Sequence, residues 1–287
     1  MLRAYLELLR PPNIATALGD VLAGFAIAGL APRAALPWLL SSTACLYAGG
    51  IVLNDVFDRE LDRLERPERP LPSGRVAVGS AATLGSVLLL AGIACAFQAT
   101  RAAGLMAVAI AVAVLIYDSR GKRHAAIAPI NMGLCRALNL LLGVAAAPAA
   151  LAWAWPLGLI PLAYIGGITT LSRGEVHGGA RGAATVALIS LSFAWVALVA
   201  VALRSGSNAL PAVVLAAALG VRVIPAFWFA RRTPTPALIR TAVRRGVLSL
   251  VILDATLGAA YAGPIYGAIV LAVGLLAGAL ARMFAVT

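Results

Sequence analysis

The stretch Asn54-Asp55-Val56-Phe57-Asp58-Arg59-Glu60-Leu61-Asp62 follows without a break on an apolar run over residues 36–56. A run of that length crosses the ~30 Å hydrocarbon core at 1.5 Å per residue, so residues 54–62 read as the helical continuation of a membrane span out of the bilayer. On a helix turning about 100° per residue, Asn54, Asp55, Asp58 and Asp62 share one arc of about 100°, while Glu60 points away. Like charges on one face repel unless a cation sits among them. Oxygen-only ligands suit a hard ion such as Mg²⁺, which keeps waters and shares phosphate oxygens, so a metal-bridged diphosphate is the natural guest. The plainer reading is a solvated acidic helix end paired with Arg59 and Arg63. Ionisable groups at membrane depth are rare and mostly functional, which favours the site.

The rest of the chain supports a membrane setting. Of 287 residues, 62% are hydrophobic and 12% charged, against about 25% charged in a soluble domain. Apolar spans are expected near 14–31, 36–56, 79–98, 102–117, 125–147, 151–171, 183–203, 209–230, 247–263 and 265–284. Only Gly263-Pro264 separates the last two, which form either a tight hairpin or one broken helix, so nine or ten helices are expected. The polar stretches are too short for a separate soluble domain, and residues 1–287 read as one polytopic unit. No cleavable signal peptide is expected. Cys45, Cys95 and Cys135 lie in apolar segments without metal spacing and read as small buried hydrophobes.

The net charge is +12, yet the basic residues report topology and not nucleic acid. Fifteen Lys and Arg lie in alternate loops: Arg59 to Arg75, Arg120 to Arg123, Arg173 and Arg181, and Arg231 to Arg245. The intervening loops hold only Arg33, Arg101 and Arg204. The positive-inside rule then puts the N-terminus and the basic loops in the cytoplasm, in a plasma (inner) membrane, and Arg282 favours a tenth helix returning to that side. The acidic residues crowd the same face, six of eleven lying between Asp55 and Glu68. Beyond them, Pro67, Pro70 and Pro72 forbid regular helix over 66–75 and make a stiff arginine-bearing loop.

These residues resemble the UbiA superfamily of intramembrane prenyltransferases. Asn54, Asp55, Asp58 and Asp62 match its NDxxDxxxD signature in full, and Arg69-Pro70-Leu71-Pro72-Ser73-Gly74 is close to its RPL/I-x-SG loop. The resemblance implies an all-α membrane bundle of nine or ten helices around a central cavity open toward lipid. It implies Mg²⁺ on Asn54, Asp55, Asp58 and Asp62, with the three aspartates catalytic, and transfer of an isoprenyl group from its diphosphate to a small acceptor whose identity the sequence leaves open. By motif position, Arg10 would meet phosphate and Asn13 would line the cavity. The segment Tyr117-Asp118-Ser119-Arg120-Gly121-Lys122-Arg123 stands where the family has a Lys-Arg loop, making Lys122 and Arg123 diphosphate clamps; each serves equally well as a plain topology charge.

The family's second acidic signature is reduced here to Leu171-Ser172-Arg173-Gly174-Glu175-Val176-His177. Either Glu175 and Asp118 complete a smaller metal site, or Arg173 and His177 contact the diphosphate directly. This pattern, with residues 131–139, looks like the EboC-like branch. Arg136 and Asn139 share a face of the fifth span; Arg136 either approaches substrate or pairs with Asp20 or Asp254. Tyr47, Phe57, Tyr117 and Tyr164 lie near the charged face, as shields for a cation or as interface anchors. Rival readings are a transporter of an anionic solute and a non-catalytic isoprenoid-lipid binder.

Overall fold

A computed structural model describes residues 2–119, 121–176 and 178–280, and all of its regular structure is helical. Arg120, His177 and Arg282 lie outside the described residues, as does the side chain of Arg123. The helices are α1 (Leu2–Leu9), α2 (Pro11–Ile27), α3 (Ala35–Glu65), α4 (Val78–Ala99), α5 (Arg101–Ser119) and α6 (Ile127–Val144). A segmented helix follows, α7 (Leu151–Ala154) and α8 (Leu159–Ser172) joined through a 3₁₀ turn at Trp155–Gly158, where Pro156 removes a helical donor. Then come α9 (Arg181–Leu203), α10 (Ala209–Arg232), α11 (Pro236–Ala262) and α12 (Pro264–Leu280). Among the described residues eight helices are long and apolar enough to cross a membrane; α2 and α12, of 17 residues each, add about 25 Å apiece. This is a multi-pass membrane protein.

Consecutive helices pack side by side from α2 through α6, α8, α9 and α10 to α11, and α11 returns to α2, closing a ring. The alternatives at Gly263-Pro264 resolve to a hairpin. Gly263 takes φ 90°, a value open to glycine, and α12 folds back along α11 and lies against α2, where Tyr266 Oη donates to the carbonyl of Leu22 at 2.9 Å. Within the ring α2 also crosses α6 closely. A Cβ built on Gly24 would lie 2.0 Å from the Leu140 carbonyl, and one on Gly143 would lie 2.3 Å from that of Val21. Small residues let membrane helices approach to backbone contact, where van der Waals packing holds them in the absence of a hydrophobic drive.

Two elements depart from the expected spans. α1 lies outside the apolar pattern and seats Ala4 and Leu8 on Val52, Leu71 and Val76, bracing the end of α3 and the proline loop. α11 starts at Pro236, eleven residues before the expected span, so Arg240, Arg244 and Arg245 are helical and not in a loop. Thr235 caps it, its side chain accepting from the amide of Leu238 at 3.5 Å, with Pro236 fixing the first turn.

Candidate active site

α3 carries its acidic face beyond the apolar run as a single unbroken helix, and that face turns inward. Asp55 and Asp62 are buried, Asp58 is half-buried, and Glu60 lies outside with Arg59 and Arg63. Each inward carboxylate meets a cation from another segment. Arg10 Nη2 donates to Asp55 Oδ1 at 2.6 Å. Arg69 Nη1 donates to both oxygens of Asp62, at 2.9 and 2.8 Å, and lies 3.6 Å from Asp55 Oδ1. Lys122 Nζ stands 2.6 Å from Asp58 Oδ1, off the angles of a hydrogen bond, so the contact is a close ion pair.

Local structure aims these cations. Arg10 sits in the left-handed region at φ 46°, strained for a residue with a Cβ, just before Pro11 opens α2; such strain, of order 1–3 kcal/mol, persists where surroundings over-determine it. The Asp55 bond is one such constraint. Burial pushes the Arg10 guanidinium below its ordinary value, and Asp55 opposes that shift. The proline loop closes through Ser73 N to Arg69 O at 3.0 Å and Val76 N to Pro70 O at 3.1 Å. Its buried Leu71 and Val76 rest on α1, leaving Arg69 facing the acids. Arg75 Nη1 donates to Glu7 Oε2 at 2.6 Å and ties α1 to that loop.

A fourth carboxylate joins from α5. Asn54 Nδ2 donates to Asp118 Oδ1 at 2.6 Å, while Asp118 Oδ2 is buried without a hydrogen-bond partner. Among the described residues no three acidic, histidine or cysteine side chains form a metal cage of their own. The donors are nevertheless all oxygen, with one orphaned carboxylate oxygen and a half-buried Asp58. That set fits a hard cation that arrives with waters and phosphate oxygens and takes one or two protein carboxylates.

The loop after α8 reaches the same face. Arg173 Nη1 donates to the Lys122 carbonyl at 3.4 Å. Glu175 receives Arg240 Nη1 on its backbone carbonyl at 3.2 Å; burial pushes its carboxyl up, opposed by Arg240. Asn13 lies half-buried in the first turn of α2, behind Arg10.

Arg136 and Asn139 lie elsewhere, inside the ring between α2, α3 and α6. Arg136 Nη1 donates to Tyr47 Oη at 2.5 Å and pairs with Asp20 Oδ2 at 3.1 Å, its guanidinium 5.2 Å from the Tyr47 ring centroid. Asn139 Nδ2 donates to Asp20 Oδ2 at 2.8 Å, and its Oδ1 accepts from Thr43 at 2.7 Å. Of the open alternatives for Arg136, pairing with Asp20 is the one found. Tyr164 is likewise committed, donating to the Gly246 carbonyl at 2.8 Å.

The sequence matches the UbiA prenyltransferase family over residues 17–234. The chain belongs to that family. Its relatives include digeranylgeranylglyceryl phosphate synthases, from Ignicoccus hospitalis at 35% identity over 178 residues (62% of this chain, 58% of that one) and from Sulfurisphaera tokodaii at 31% over 143 residues (49% and 51%). The chain thus spans little more than half the length of either. Among solved structures, a UbiA homologue from Aeropyrum pernix K1 superposes with TM-score 0.68 at 17% identity, covering 85% of this chain and 96% of that one. A UbiA homologue from Archaeoglobus fulgidus, solved with DMAPP and Mg²⁺, gives 0.55 at 17% identity over 95% and 98%. These likenesses establish a UbiA fold.

Within that fold Asn54, Asp55, Asp58, Asp62, Arg10 and Lys122 gather at one mouth of the ring, with Arg173 at its edge; Arg136 and Asn139 do not join them. His177 and the Arg123 side chain lie outside the described residues. Arg69 was legible only as a loop charge. Its RPLPSG setting was the available signal, but the reach to Asp62 depends on how the loop folds.

Proposed function

We propose that this UbiA-family chain transfers an isoprenyl group, with Mg²⁺, from an isoprenyl diphosphate to a small acceptor inside the membrane. One observation carries the reading: three carboxylates on one helix face, each opposed by a cation from a different segment, at the charged mouth of an apolar bundle. Arg10, Arg69 and Lys122 supply fixed positive charge where a diphosphate would lie, and arginine suits phosphate oxygens while lysine acts as a point charge. Asn54, Asp55, Asp58 and Asp118 are the residues that would hold Mg²⁺, which, when bound, offsets the charge growing on the leaving diphosphate. Asp62, with both oxygens on Arg69, positions that guanidinium. Preorganised charge of this kind eases C–O cleavage because little reorganisation is needed as the charge develops. Apolar walls below the mouth keep water from the allylic carbon. Phe57 and Tyr117, close to the acidic face, are the aromatics left to shield it.

The surplus of Lys and Arg in the loops on this side supports a cytoplasm-facing mouth in an inner (plasma) membrane. Relatives named digeranylgeranylglyceryl phosphate synthase make a glyceryl phosphate lipid the first acceptor to try. The test is diphosphate release by purified protein from prenyl diphosphates of several lengths, with and without Mg²⁺, beside an Asp58→Asn variant. Release that needs both Mg²⁺ and Asp58 supports the reading; release indifferent to both, or none with any donor and acceptor, overturns it.

A further inference from the structure

We propose that the ends of α9 and α10 form a binding site for one anionic phospholipid of the leaflet beside the charged mouth. An open pocket of about 280 Å³ is lined by Arg181 and Thr185 of α9 and by Arg231 and Arg232 of α10. None of the three guanidiniums forms an ion pair among the described residues. Arg231 Nε is oriented by Thr185 Oγ1 at 2.9 Å, and the Arg231 and Arg232 guanidinium carbons lie 5.4 and 5.1 Å from the Trp228 ring centroid. Stacking and a neutral acceptor hold the guanidiniums in place without neutralising them, which leaves their charge for a phosphate. The start of α9 adds to this, since Ala180 gives no side-chain cap to its free amides.

The second element is apolar and runs down into the bilayer. Thr185, Ile189, Phe193 and Val196 fall within about 80° of one another on α9, and Arg231, Trp228, Val221 and Val214 within about 100° on α10. The apolar members of both rows are exposed. A phosphoryl head in the pocket would therefore lay its acyl chains along these rows, an arrangement free phosphate cannot use; basic pockets between membrane helices on the charged side suit such headgroups.

Native mass spectrometry of the full chain in detergent, titrated with phosphatidylglycerol, phosphatidylcholine or inorganic phosphate, tests this. Wild type is expected to hold one phosphatidylglycerol about tenfold more tightly than the R231Q/R232Q variant. It is also expected to prefer phosphatidylglycerol to phosphatidylcholine and to keep it against millimolar phosphate. Should the double variant not fold, R181Q, at the exposed first turn of α9, reads the same pocket. Equal retention by wild type and folded variants overturns the site, and displacement by inorganic phosphate overturns its assignment to a lipid. Prenyl transfer need not change in either variant, so this result stands apart from the proposed activity.

Discussion

Lys122 Nζ meets Asp58 Oδ1 at 2.6 Å, joining the 3₁₀ turn after α5 to the acidic face of α3. Both groups are half-buried, so neither is simply a solvated charge. Lys122→Met should lower turnover about 10²-fold, the loss seen when one preorganised electrostatic partner is removed. Asp58→Asn should lose turnover altogether while still expressing and folding. Single-turnover assays with a prenyl diphosphate measure both, and a Lys122→Met enzyme with unchanged rate would remove this lysine from the mechanism.

Arg69 is aimed by Asp62, not by solvent, because one nitrogen straddles both carboxylate oxygens. Asp62→Ala frees that guanidinium and loosens the loop at residues 66–75. The expected outcome is a higher KM for the diphosphate donor with a smaller change in kcat, together with faster limited proteolysis within the loop. A variant with wild-type cleavage and a pure kcat loss would instead place Asp62 among the groups that touch substrate.

How far the sequence foretold these contacts depends on whether they are local. The inward arc of Asn54, Asp55, Asp58 and Asp62 follows from helical period alone, and it stands in α3 as read. The start of α11 did not follow, because Arg240, Arg244 and Arg245 interrupt the apolar pattern; yet Thr235-Pro236 is a cap followed by a first-turn proline, a signal hydropathy ignores. α1 is too short for any span criterion and is held by tertiary contact. The choice of Asp20 for Arg136 required knowing that α2 crosses α6, which rests on two glycines over a hundred residues apart.

Arg136 and Asp20 form an ion pair, 3.1 Å apart and almost without solvent exposure. Removing one partner strands a buried charge, which costs about 3–5 kcal/mol. Asp20→Ala should therefore lower the thermal midpoint in detergent markedly. Pairing it with Arg136→Met should recover part of the loss, because the double variant leaves no lone guanidinium. A thermal double-mutant cycle measures this; strict additivity would contradict coupling between the two residues.

The close crossing of α2 and α6 gives the last prediction. Gly24 and Gly143 face each other so tightly that a methyl on either would collide with backbone, which cannot swing aside as a side chain would. Gly143→Ala must push α6 away from Val21, at a cost of about 1–3 kcal/mol for overpacking. The same displacement carries Asn139 and Arg136, one and two turns away on α6, off Thr43 and Asp20. The loss in thermal midpoint should thus exceed that of Gly182→Ala, whose Cβ would meet open space at the start of α9. Gly143→Ala should also shrink when Asp20 is already Ala, since part of its damage runs through that contact. Equal midpoints for the Gly143 and Gly182 variants would mean that the two helices do not meet at backbone distance.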